Sequence, residues 1–142
     1  MKPSLKPGLV HEAALTITEE LTVPNISSRF EIFDDMPPVF ATAFMVAHVE
    51  ATCIVCIRDH LDDGEHTVGT HVDLSHTAAT PVGMTVIASV ELAGVTGRIL
   101  IFDVEVHDEA GPVGSGTHQR TVIDVERFNA KVEEKAEHER SR

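Results

Sequence analysis

The sequence predicts an α+β fold, a long central helix wrapped by a curved antiparallel sheet of about five strands. Three observations carry this. Residues 39–57, VFATAFMVAHVEATCIVCI, form an almost unbroken apolar segment whose only charged side chain is Glu50. From residue 67 onward the pattern changes to strands, punctuated by glycine and proline. Near the N-terminus, Leu9 to Thr18 reads as one more strand leading in.

Each element has its own signal. Residues 19–38 are irregular, with Pro24, Pro37, Pro38 and the acidic pair Asp34 and Asp35, yet Ile26, Phe30, Ile32 and Phe33 give the stretch something to bury. It is expected to be a loop or short helix. Pro37 and Pro38 set up a helix start, because proline is tolerated in the first turn, where its missing N–H is not needed. The helix is expected from about Val39 to His60, stopping before Gly64. With apolar residues on nearly every side it must be enclosed, not merely laid on a surface.

The strands follow. TVGTHVDLSHTAAT is the first after the helix, ended by Pro81 and Gly83. In MTVIASVELAGV, the side chains of Met84, Val86, Ala88, Val90 and Leu92 share one face, and Gly94, Thr96 and Gly97 frame a turn. In RILIFDVEVHD, Leu100, Phe102, Val104 and Val106 point inward while Asp103, Glu105 and His107 point outward. A turn through Asp108 and Gly111 leads to PVGSGTHQRTVIDV, closing an antiparallel meander of about four strands. The tail from Glu126, ending EEKAEHERSR, is charged and expected to fray, so a single domain with its core at about residues 8–130 is expected. A sheet curling about an apolar helix is the hot-dog arrangement. Its exposed edges need covering, and pairing with a second copy is the usual remedy, so a homodimer through sheet edges is expected.

Composition narrows the partners. At 142 residues the chain fits one domain, and 42% hydrophobic residues exclude a disordered polyelectrolyte. A formal charge of −12 argues against a nucleic-acid surface, which needs a basic footprint, and the absence of Trp and Tyr removes stacking platforms for bases. The N-terminal residues lack the charged, apolar and small-residue regions of a secretory signal. Thr42, His48, Glu50 and Thr52 make the apolar segment a poor lipid-facing span. A cytoplasmic protein without membrane contact is expected. Cys53 and Cys56 lie one helical turn apart, without the strand-to-helix context of a redox pair, and read as buried reduced thiols.

Glu50 is the first chemical candidate. A lone charge among hydrophobic neighbours is usually neutralised, paired or used. It is either a carboxyl paired with a neighbour for hydrogen bonding, or one tuned by burial to act as base or nucleophile. Thr42, near the helix start, is either a capping group or a hydroxyl beside unpartnered N–H groups that can stabilise an oxyanion. His76 lies near a strand end. His71, five residues earlier, falls on the opposite face of a regular strand, which makes the two poor joint metal ligands; no metal is expected. His48 reads as a packed or interface histidine, and Arg120 as a salt-bridged sheet residue.

The stretches PPVFATAFMVAHVEATC, GTHVDLSHTAATPVGMTV, GSGTHQRTVI and RFNAKV, in that order, closely resemble the fluoroacetyl-CoA thioesterases, which have the hot-dog fold; the similarity spans about residues 20–135. The resemblance implies hydrolysis of a short-chain acyl-CoA, with fluoroacetyl-CoA a candidate, and no cofactor, CoA being part of the substrate. It implies a catalytic set of Thr42, Glu50 and His76 at a dimer interface. Gly69 and Arg120 fall close to the acyl group, and Val23, Ile26, Phe33, Met36 and Val39 fall where the family lines its acyl pocket. The family's fluoroacetate-selective enzyme carries phenylalanine where this chain has Met36, a flexible thioether that shapes a pocket less sharply. Arg120, Arg127 and Lys131 are candidates for the CoA phosphates. A non-catalytic acyl-CoA-binding protein and a hot-dog enoyl-CoA hydratase are the alternatives.

Overall fold

The computed structural model describes residues 1–141. Five strands, β1 (Val10–Thr16), β2 (Glu65–Leu74), β3 (Thr85–Thr96), β4 (Ile99–Asp108) and β5 (Gly111–Asp124), form one antiparallel sheet in the order β1-β3-β4-β5-β2. Helix α1 (Thr42–Ile57) lies across it. The expected alternation holds: Val86, Ala88, Val90 and Leu92 of β3 and Leu100, Phe102, Val104 and Val106 of β4 are all buried. They pack with Met45, Val49, Cys53 and Ile57 of α1 into a single core.

The strand order differs from a simple meander. Only β3, β4 and β5 run consecutively; β2 pairs with β5 at the far edge, and residues 75–84 carry the chain back across to β3. That crossing is bonded tightly to β5. Ser75 donates its N–H to the Ser115 carbonyl at 2.8 Å, and Thr77 to Val113 at 2.8 Å. Glycine makes the approach possible: a Cβ on Gly114 would lie 2.0 Å from the Ser75 carbonyl oxygen. We expect Gly114→Ala to lower the stability read by urea denaturation by about 1–3 kcal/mol, the usual penalty of overpacking. It should also reduce any activity that depends on His76, the next residue along.

Three local expectations need correction. The helix begins at Thr42, not at Val39, and Pro37 and Pro38 lie outside its first turn. Long-range backbone pairing wins over the local proline signal. Phe40 donates its N–H to the Thr80 carbonyl at 2.9 Å, the Val39 carbonyl accepts from Val23 at 3.0 Å, and Ala41 donates to Leu21 at 3.0 Å, so these residues stay extended. At the other end α1 tightens into a 3-10 turn at Arg58–His60. The charged tail, secondly, is a helix, α2 (Val125–Arg140), capped by the Asp124 side chain accepting from the Arg127 N–H at 3.0 Å.

The third correction concerns enclosure. The sheet of one chain covers only one face of α1, burying Met45, His48, Val49, Thr52, Cys53 and Ile57. Ala43, Ala47, Ala51 and Ile54 remain exposed, an apolar stripe at helical spacing on the opposite face. Residues 19–38 likewise bury less than expected. They fold as three short 3-10 turns, Glu19–Leu21, Val23–Asn25 and Glu31–Phe33, from which Phe30, Ile32 and Met36 project into solvent. The single chain therefore presents exposed apolar side chains both along α1 and on the turns that precede it.

Candidate active site

Two clusters of polar side chains flank the open face of α1. The first sits at its N-terminus. Ala41 is the cap residue and makes no side-chain cap bond, which leaves the Thr42 hydroxyl free of that role. Instead Thr42 Oγ1 meets His76 Nδ1 at 2.7 Å. His76 is half-buried on the crossing segment just past the end of β2, not on the strand itself, so its geometry owes nothing to His71. The Phe40 ring stands edge-on to the imidazole, with centroids 6.2 Å apart. Burial holds His76 below the ordinary histidine value, with a hydrogen bond to the Ala78 backbone working the other way. A neutral imidazole against a hydroxyl is the geometry of a base that activates or orients an alcohol. The Thr80 hydroxyl steadies the segment by donating to the buried Asp108 carboxylate at 2.8 Å.

The second cluster surrounds Glu50. Its Oε2 accepts from Arg120 Nη1 at 2.8 Å, an ion pair between a buried guanidinium and a partly exposed carboxylate. Arg120 is fixed on its other edge by Thr67, donating Nε to the hydroxyl at 2.8 Å and Nη2 to the carbonyl at 2.9 Å. His118, fully buried, completes the group: its Nε2 lies 3.2 Å from Arg120 Nη1 and its Nδ1 2.7 Å from the His71 carbonyl. Gly69 closes over all three. A Cβ there would come within 2.8 Å of Glu50 Oε2, 3.2 Å of Arg120 Nη1 and 3.4 Å of His118 Cε1. Gly69 also marks the register shift of β2 against β5, between Gly69 and His71.

Glu50 is thus both paired and partly exposed, with one oxygen on Arg120 and the other, Oε1, unbonded among the described residues. Sequence reasoning missed Thr67 and His118. For His118 a signal was present: His118, Arg120 and Val122 alternate along β5 and are all buried, placing two polar side chains on the inward face. Val23, Ile26, Phe33, Met36 and Val39 all fall on the chain leading into α1, with Met36 exposed and the others half-buried. Arg127 and Lys131 lie on α2, exposed, and make no side-chain hydrogen bond or ion pair to either cluster among the described residues. Both thiols are free, and burial pushes Cys53 up to about 12. No helix among the described residues is long and apolar enough to cross a membrane.

Burial holds three histidines, His48, His76 and His118, below their ordinary value of 6.5, opposed in each by a backbone hydrogen bond. His48 is the sharpest case, because its Nε2 bonds the Ala13 carbonyl at 3.0 Å while its buried Nδ1 has no partner. Depressed values mean that below about pH 6.5 the unfolded chain binds more protons than the folded one, so stability is complete above that pH and lost as pH falls. We expect the urea midpoint to hold between pH 7 and 8 and drop progressively from pH 6.5 to 5. His48→Gln should make that drop shallower.

Among the described residues no hydrogen bond or ion pair joins the two clusters within one chain. Glu50 follows Thr42 by eight residues on the same helix, about 12 Å along its axis.

This architecture recurs among solved structures. A hypothetical Thermus thermophilus protein described as a thioesterase superfamily member superposes with a TM-score of 0.89 at 26% identity, over 100% of both chains. Chain topology and this likeness together define a hot-dog protein of the thioesterase superfamily. The family model for fluoroacetyl-CoA-specific thioesterase matches residues 17–126, and the chain belongs to that family. It is 40% identical over 135 residues to the fluoroacetyl-CoA thioesterase of Streptantibioticus cattleyicolor, covering 95% of this chain and 97% of that one. A mutant fluoroacetyl-CoA-specific thioesterase solved with fluoroacetate and CoA gives a TM-score of 0.85 at 41% identity, over 87% of this chain and 97% of the other.

Proposed function

We propose that the protein hydrolyses a short-chain acyl-CoA, with fluoroacetyl-CoA the first candidate, to the free acid and CoA. The observation that carries this is the Glu50 carboxylate, held on Arg120 under a glycine that leaves no side chain over it. Family membership supplies the reaction class.

In this reading Glu50 attacks the thioester carbonyl carbon or directs a water onto it. Thr42 and the first N–H groups of α1 bind the carbonyl oxygen as it becomes an oxyanion. His76 moves protons: water supplies one to the departing CoA sulfur, and its hydroxyl ends in the free acid. No cofactor is required. Gly69 and Arg120 border the acyl group, and Val23, Ile26, Phe33, Met36 and Val39 form its apolar surround. A cytoplasmic location suits the two free thiols.

A site built this way needs two copies of the chain. Thr42 and His76 of one protomer would meet Glu50, Gly69 and Arg120 of the other. The open edge of β2 and the apolar stripe of α1 would be covered by the homodimer contact. The experiment is a panel of short acyl-CoAs followed by free-thiol release. We expect turnover, with kcat/KM for fluoroacetyl-CoA against acetyl-CoA measuring how far Met36 relaxes selectivity. Saturable binding without thiol release would instead identify an acyl-CoA-binding protein, and water addition to an enoyl-CoA a hydratase.

A further inference from the structure

His118 is fully buried, ionisable and given no task by the mechanism above. Its two ring contacts fix its chemical form. Arginine donates and never accepts, so Nε2, at 3.2 Å from Arg120 Nη1, must present a lone pair. The proton of a neutral imidazole then sits on Nδ1, which donates to the His71 carbonyl at 2.7 Å. The alternative tautomer would aim an N–H at the guanidinium, and the imidazolium would add a second positive charge.

The position of that lone pair matters for Glu50. The guanidinium is planar and its hydrogens point in fixed directions. Thr67 holds the Nε and Nη2 side, while Nη1 alone serves both Glu50 and His118. An acceptor at His118 occupies one Nη1 hydrogen and leaves the other aimed at the carboxylate. Without it a buried N–H is unsatisfied, and the side chain gains by turning away. The His71 carbonyl that sets the tautomer lies where β2 shifts register beside Gly69, so the strand irregularity and the ring form one chain of contacts ending at Glu50.

We propose that His118 is a positioning residue for thioester hydrolysis: held as the Nδ1–H imidazole by the His71 carbonyl, it keeps Arg120 turned onto Glu50. The proposal rests on the reading of Glu50 as the reacting carboxylate.

Two amide substitutions separate the ring's two contacts. Asparagine reaches the Nδ1 position and can still donate to the His71 carbonyl; glutamine reaches the Nε2 position and can still accept from Arg120. We expect His118→Asn to lower kcat about 30-fold or more with KM changed less than about threefold, an effect on transition-state rather than uniform binding. His118→Gln should restore kcat to within about fivefold of wild type. His118→Phe, which fills the space with no acceptor, should behave like the asparagine variant. A purely structural role at the β2–β5 contact would give the reverse order, asparagine above glutamine. Nitrogen-15 shifts of the wild type at pH 7.5 should show a protonated Nδ1 and an unprotonated Nε2 on His118. An Nε2–H ring, or asparagine and glutamine variants of equal kcat in an active enzyme, overturns the proposal alone. A wild type that releases no thiol from any acyl-CoA, with Glu50→Gln indistinguishable from it, overturns the thioesterase reading and this proposal together.

Discussion

Replacing Glu50 by glutamine is expected to reduce kcat by on the order of 10³-fold while leaving the fold intact, a loss of about 4 kcal/mol of transition-state stabilisation. The substitution preserves shape. A glutamine carbonyl oxygen can still accept from Arg120 Nη1, and Gly69 still leaves room for it. What disappears is the negative charge and the basic lone pair on the oxygen that faces away from Arg120. If the carboxylate served only to neutralise a buried arginine, the variant would lose stability but little rate. Parallel kcat and urea measurements separate the two cases. In the active-site reading, kcat collapses with a modest change in midpoint.

Replacing His76 by alanine is expected to lower kcat by about 10²–10⁴-fold, the range typical of a lost general acid or base. The residue sits on a segment fixed independently of its ring, by Ser75, Thr77 and Thr80, so the backbone should hold its path. The Thr42 hydroxyl loses its 2.7 Å partner and with it both orientation and activation. Because burial keeps the imidazole below its ordinary value, wild-type activity should persist into mildly acidic solution before falling as the ring takes up its proton. The alanine variant should lack that acid limb in its residual rate.

The parts of the fold legible in the sequence are those governed by neighbours along the chain. Val86 to Leu92 and Leu100 to Val106 alternate because each strand has one inward face, and the pattern is visible without knowing what lies opposite. The helix start is not legible locally, because Val39 and Phe40 take partners about 40 residues later and about 20 residues earlier, at Pro81 and Thr22. The apolarity of α1 was legible, but not which half the chain covers by itself: Met45, Val49 and Cys53 face the sheet, while Ala47, Ala51 and Ile54 do not. The charge of α2 masks its helical signals: Asp124 gives a proper cap and Val125, Phe128 and Val132 recur at helical spacing.

For the site, Glu50 announced itself as a lone charge, whereas its partner could not be found that way. Arg120 lies 70 residues on and reads from sequence as a salt-bridged sheet residue, with nothing to say that its partner is Glu50. The grouping of Thr42, Glu50 and His76 came from resemblance to a family, not from spacing. The structure adds that Thr42 and His76 touch, that Glu50 belongs to a separate cluster with Arg120, His118 and Gly69, and that the helix keeps the two apart.

That separation makes the shared site the central claim, and mixing inactive variants tests it. His76→Ala and Glu50→Gln proteins, each nearly inactive, are denatured together in equal amounts and refolded. If one protomer's Thr42 and His76 act with the other's Glu50, each mixed dimer has one site with both residues intact. Random pairing in a two-fold dimer then predicts recovery to roughly a quarter of wild-type activity. Activity that stays at the level of the separate variants, in a mixture shown to contain mixed dimers, would contradict the account.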